Sequence, residues 1–123
     1  MAFKIHAKAV VIGVVAGFAL GFLVGPLETL MLFGSTLSGT PLHIVSLALG
    51  SLATLLAAYI TARLSPTDKF ANVLVFWAVN EVLGLLSLFV LTFPLWYNIA
   101  GTFVVFIASL LGCYIERITR QAA

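Results

Sequence analysis

The sequence predicts an all-α integral membrane bundle of four transmembrane helices. Three observations lead there. The first is composition: 63% of the 123 residues are hydrophobic and 8% are charged. Soluble domains run near about 45–50% apolar and about 25% charged. A soluble fold of this size has too little interior to hide so much apolar surface. The second is segmentation, because four apolar stretches reach the roughly 20 residues that a bilayer crossing requires. The third is charge placement. Lys4 and Lys8 precede the first stretch, Arg63 and Lys69 flank the second connection, and Arg117 and Arg120 follow the fourth stretch. With four crossings these regions share one side, and they hold every Lys and Arg in the chain. The positive-inside rule then expects both termini in the cytoplasm, in an inner or plasma membrane.

One transmembrane domain is expected over residues 1–123, with helices near 8–33, 42–63, 70–93 and 95–115. The first stretch follows Lys4 and Lys8 as a signal peptide would. It is too long for such a segment, and no small-x-small site follows it. It is therefore expected to remain as the first span. Gly13, Gly17, Gly21 and Gly25 recur every fourth residue along it. That spacing is a glycine zipper: one helix face on which another backbone can come close. Two uses are open, helix packing inside one chain or a seam between chains of a homo-oligomer. Pro26 lies two residues before Glu28 and is able to kink the helix there.

The second stretch opens with Thr40-Pro41, a cap followed by a first-turn proline. It carries a looser row of small residues at Ser46, Gly50, Thr54 and Ala58, a candidate mate for the glycine row. Ser65-Pro66-Thr67-Asp68 reads as the cap and first turn of the third helix. A tight turn at Pro94 then leads into the fourth. Trp96 and Tyr97 suit one membrane interface, and Tyr59 and Tyr114 the other. Alternating ten-residue strands are absent, which leaves no basis for a barrel.

The two helical hairpins resemble each other. Glu28 precedes Pro41 by thirteen residues, and Glu81 precedes Pro94 by the same interval. Residues 52–60 also read much like residues 107–115. A duplication of two-helix units is one reading, with the copies related by an axis along the membrane normal. Chance similarity between apolar segments is the other.

Asn80-Glu81 stands at the centre of the third stretch. An acid there costs on the order of 3 kcal/mol on insertion scales. No Lys or Arg lies at its depth. The expectation is a carboxyl that takes up a proton or cation when water or substrate reaches it. Asn80 and Glu28 are its candidate helpers. His43, Asn98, Thr102 and Ser109 are candidate pathway residues. The bland alternative is a hydrogen-bonded carboxyl that fixes helix packing, with Ser and Thr rows serving as interhelical glue.

Other functional classes find little support. Two His and four acids lie at scattered depths without ligand spacing, so no metal or cofactor is expected. Cys113 is the only cysteine and reads as a small buried hydrophobe. No run of Lys or Arg suggests nucleic acid. No nucleophile triad, phosphate loop or dinucleotide motif is present, so an enzyme is not expected. In size and span count the chain is similar to the small multidrug-resistance exporters, four-helix dimers with one membrane glutamate. Their acid lies early in the first helix, where this chain has Gly13 and Gly17. The expected partners are the lipid bilayer and further copies or other membrane subunits. Two functions are carried forward: a small homo-oligomeric transporter or permeation unit, and a non-catalytic accessory or scaffold subunit of a larger membrane complex.

Overall fold

The computed structural model describes the backbone of residues 4–31, 40–87 and 95–122, and the side chains of 4–21, 44–86 and 95–122. Four helices make up the described chain: α1 (Ala7–Met31), α2 (Thr40–Leu64), α3 (Lys69–Ser87) and α4 (Leu95–Ala122). The all-α expectation holds. Ile44–Leu64, Lys69–Leu86 and Leu95–Ala122 are long and apolar enough to cross a membrane. The first helix is shorter in this respect, its described apolar part being Ala7–Gly21.

Burial is distributed the way lipid-facing bundles distribute it. The core is made of Ala9, Ala53, Ala57, Ala58, Ala62 and Ala108 with Val10 and Val73, and Phe76 is its one large side chain. The big apolar residues point outward: Val15, Leu52, Leu85 and Phe103 are each more than half exposed. In water this would leave a large uncompensated apolar surface. In hydrocarbon there is no gain in hiding Leu or Phe. Small residues go inside instead, because they let backbones approach and pack.

α2 is the central helix and touches the other three. Its inner faces are nearly all alanine, and glycines meet them from both sides. A side chain on Gly13 of α1 would collide with Thr61 Oγ1. Gly17 stands one turn along, and a Cβ there would lie 3.4 Å from Ala57 Cβ. On the other side, Gly112 of α4 lies directly against the α2 backbone. A Cβ there would collide with the Leu55 carbonyl and fall 2.9 Å from Ala58 Cβ and 3.0 Å from Tyr59 N. The residue groups 52–60 and 107–115, alike in sequence, thus meet face to face.

The end of α4 and the cap before α3 differ from the sequence reading, while the start of α3 at Lys69 falls beside the expected residue 70. α4 runs on to Ala122, where residue 115 was expected to end it. The added turns carry their own support: Arg120 Nε pairs with Glu116 Oε1 at 3.3 Å one turn away, and Thr119 Oγ1 donates to the Ile115 and Glu116 carbonyls. α3 begins at Lys69, later than a cap at Ser65 implies. Ser65 instead completes α2. Its backbone N donates to the Thr61 carbonyl at 3.1 Å, and its hydroxyl donates to the same oxygen at 2.7 Å. Asp68 then takes φ 50°, the left-handed region that Asp tolerates better than most residues. From there the Asn72 N–H reaches the Asp68 carbonyl at 3.0 Å and starts α3.

Candidate functional site

α3 positions Glu81 twelve residues beyond its first residue, Lys69. That is about 18 Å along the axis at 1.5 Å per residue. The side chain is half-buried and faces α4. Thr102 Oγ1 lies 3.3 Å from Glu81 Oε2 and donates to it. The same hydroxyl lies 3.1 Å from the Asn98 carbonyl, one turn back on α4. Around this pair is a cleft of about 290 Å³ between α2, α3 and α4, lined by Asn80, Glu81, Gly84, Asn98, Gly101 and Thr102 among others. The two glycines make the room. With no side chain at 84 or 101, α3 and α4 leave space where larger residues would fill it.

The structure brings Glu81, Asn80, Asn98 and Thr102 together around one cleft. Asn80 also ties back to its own helix, its Nδ2 donating to the Phe76 carbonyl at 2.9 Å. Ser109 does not join the group. It is buried further along α4, and its hydroxyl donates to the Val105 carbonyl at 2.9 Å. Glu28 and Gly25 belong to α1 and His43 to α2 by backbone, but their surroundings lie outside the described residues. The glycine row divides. Gly13 and Gly17 are spent on α2 within the chain, whereas a Cβ on Gly21 would meet nothing within 4 Å among the described residues.

The hydroxyl rows behave unlike interhelical glue. Thr54, Thr61 and Ser109 all donate to the carbonyl four residues back on their own helix. This satisfies the hydroxyl locally and leaves the helix surface smooth. Among the described residues, Thr102 crosses to Glu81, and Ser46 crosses to α4, its Oγ lying 3.1 Å from the Tyr97 hydroxyl.

A second cleft, of about 380 Å³, lies between α1, α2 and α3. Gly17, Gly21, Gly50 and Phe18 line it, and it shares Thr54 and Asn80 with the Glu81 cleft. These two residues form the partition between a mostly apolar groove and a polar one.

The basic end of the bundle holds two polar residues that reading the sequence did not single out. Asn72 is fully buried. Its Oδ1 accepts from the His6 N–H at 2.7 Å, and its Nδ2 donates to the Lys4 and Asp68 carbonyls at 3.1 and 2.8 Å. The Lys4 N–H meets Asp68 Oδ2 at 2.9 Å, and His6 Nε2 lies 3.0 Å from Thr67 Oγ1. The segment before α1 is thereby pinned to the connection between α2 and α3. Glu116 is 1% exposed, between Lys69 Nζ at 3.5 Å and Arg120 Nε at 3.3 Å. These are charge contacts without aligned hydrogen bonds, and neither carboxylate oxygen receives a well-directed donor among the described residues. The only sequence trace of this arrangement was the Glu116–Arg120 spacing of one helical turn. Nothing in the sequence says that Lys69 comes to meet it.

Fold and exterior together define a small four-helix bundle, three helices of which are long and apolar enough to cross a membrane. Compared with family models, curated proteins and solved structures, the chain matches none.

Proposed function

We propose that this chain is a small polytopic membrane protein crossing an inner or plasma membrane four times, with both termini cytoplasmic. In this reading it works as a homo-oligomeric, non-catalytic transporter or permeation unit. Glu81 is the group that binds and releases a proton or cation, and Asn80, Asn98 and Thr102 hydrate or guide the bound species. One observation supports this above the rest. The mid-helix carboxylate opens onto a cleft of about 290 Å³ lined by two amides and three hydroxyl-bearing residues, instead of being packed into the core. An acid kept only for packing has no use for such a space. Four crossings include α1, whose apolar face and place beside α2 suit it to span with its neighbours. The face-to-face pairing of residues 52–60 and 107–115 favours two duplicated hairpins.

The test is reconstitution in liposomes with imposed proton and cation gradients. The wild-type chain is expected to carry flux, and Glu81→Gln to abolish it while the helical content stays the same. Undiminished flux through that variant overturns the reading.

A second reading rests on the open part of the glycine row. The groove at Gly17 and Gly21 has room near Gly21 that none of the described residues fills. A helix from a different membrane subunit would fit an accessory or scaffold role there. The mass of the detergent-solubilised particle separates the two. Multiples of 13.1 kDa favour self-assembly, and a larger associated chain lost on Gly21→Leu favours the accessory role.

A further inference from the structure

The largest of these cavities, about 440 Å³, lies at the basic end between the start of α3 and the end of α4. Its walls are of two kinds. Phe70 and Tyr114, each 57% exposed, form an apolar flank facing outward from the bundle. Lys69, Arg117 and Arg120 stand at its polar margin with buried Glu116.

The charges in this cavity do not cancel. Lys69 is fully engaged: its Nζ donates to the Ala62 and Ser65 carbonyls at 2.7 and 2.6 Å and faces Glu116. That contact also accounts for the charge of Glu116. Arg120 meets Glu116 through Nε at 3.3 Å, and its side chain is half exposed at the cavity margin. Arg117 is exposed and makes no ion pair among the described residues. Two guanidinium groups, three residues apart on one helix face, thus border an apolar-walled pocket with their charge unmatched. A planar guanidinium fork suits a phosphate better than a lysine does. Basic pockets between spans on the cytoplasmic side are where anionic headgroups settle.

We propose that this cavity holds one anionic phospholipid of the adjoining leaflet, its phosphate bridged by Arg117 and Arg120 and an acyl chain lying along Phe70 and Tyr114. The Tyr114 phenol sits at the boundary between the two, as interfacial tyrosines do. The site rests on the membrane reading above but not on transport, since it lies at the start of α3, about 18 Å along the axis from Glu81. Lys69 and Glu116 serve as its floor. They hold the connection between α2 and α3 against α4, and so fix the distance between Phe70 and the two arginines.

The test uses the purified full chain in detergent with added phosphatidylglycerol or phosphatidylcholine, bound lipid being counted by native mass spectrometry. One phosphatidylglycerol per chain is expected to survive detergent exchange, with phosphatidylcholine lost. Arg117→Gln, which breaks no ion pair, is expected to weaken retention about fivefold, and Arg117→Gln with Arg120→Gln about thirtyfold. Lys4→Gln with Lys8→Gln removes the same charge from the same end and is expected to change nothing. Equal retention of both lipids, or full retention by the double arginine variant, overturns the site. An equal loss in the Lys4 and Lys8 control also overturns it, in favour of diffuse surface attraction. Displacement by millimolar inorganic phosphate overturns it as well, in favour of a free-anion site. Flotation with vesicles is measured alongside. A chain that floats without selective retention loses only this site, whereas a chain that does not float loses the membrane reading itself.

Discussion

Glu81 and Glu116 are both carboxylates on apolar helices, and the bundle treats them in opposite ways. Glu116 is closed in at 1% exposure, with Lys69 and Arg120 beside it and Gly112 one turn away locking α4 onto α2. Glu81 has a threonine hydroxyl for company and a cleft in front of it. The difference follows from what surrounds each. At the basic end, α2 and α4 meet through Ala58 and Gly112, so those two backbones touch, and the open space there lies on the other side of α4, against α3. Around Glu81 the glycines at 84 and 101 face a gap instead of a neighbouring backbone. Among the described residues, nothing lies within 4 Å of a Cβ added at Gly84 or Gly21, and a Cβ at Gly101 meets the tip of Leu47 at 3.6 Å. The same residue type thus closes one region and opens another, depending on whether a helix backbone stands opposite. A buried, ion-paired acid holds structure together. Glu81 opens onto a cleft and has no cationic mate among the described residues.

The contrast is open to attack, starting where the largest effect is expected. Lys69→Met leaves Glu116 buried beside a partly exposed Arg120 and removes both carbonyl contacts at the end of α2. Breaking a buried pair from one side costs about 3–5 kcal/mol. The variant is expected to lose its helical fold at markedly lower denaturant, followed by circular dichroism in micelles. A shift too small to resolve would mean that the pair is ornamental. Gly112→Ala comes next. The new methyl meets the Leu55 carbonyl, which belongs to the α2 backbone and cannot swing aside. Overpacking of this kind costs about 1–3 kcal/mol. Gly84→Ala, placed in open space, is the matched control and is expected to leave the midpoint unmoved. Glu81→Gln is expected to matter least for stability, within about 0.5 kcal/mol, because the amide still accepts from Thr102. That variant is the sharpest probe of the comparison. If it destabilises as much as Lys69→Met, Glu81 is a packing residue and the cleft has no part in function.

Much of the architecture was legible in the order of residues. Four apolar stretches of crossing length, punctuated by Thr40-Pro41 and Ser65-Pro66, are enough to mark four helices in hydrocarbon, because no other backbone state satisfies its own polar groups there. The grouping of Asn80, Glu81, Asn98 and Thr102 was partly legible too. Helical spacing puts Asn98 and Thr102 on one face of α4, and a central acid seeks the nearest polar face. The ends of elements were less legible. Ser65 and Asp68 both have capping chemistry, and which helix each serves depends on where Lys69 and the Lys4 N–H come to rest.

The order of residues by itself determined the apolar character and crossing length of the helices, the helix count and the clustering of positive charge at one end, since each follows from local hydropathy and length. Only the tertiary structure decided which glycines are spent on packing and which leave a groove. It also decided that Glu116 meets Lys69 across forty-seven residues of chain, and that Asn72 fastens the segment before α1. Those outcomes depend on the rotation of each helix about its own axis. A chain whose outer faces are as apolar as its inner ones carries little local signal of that rotation, and contact between neighbouring backbones sets it.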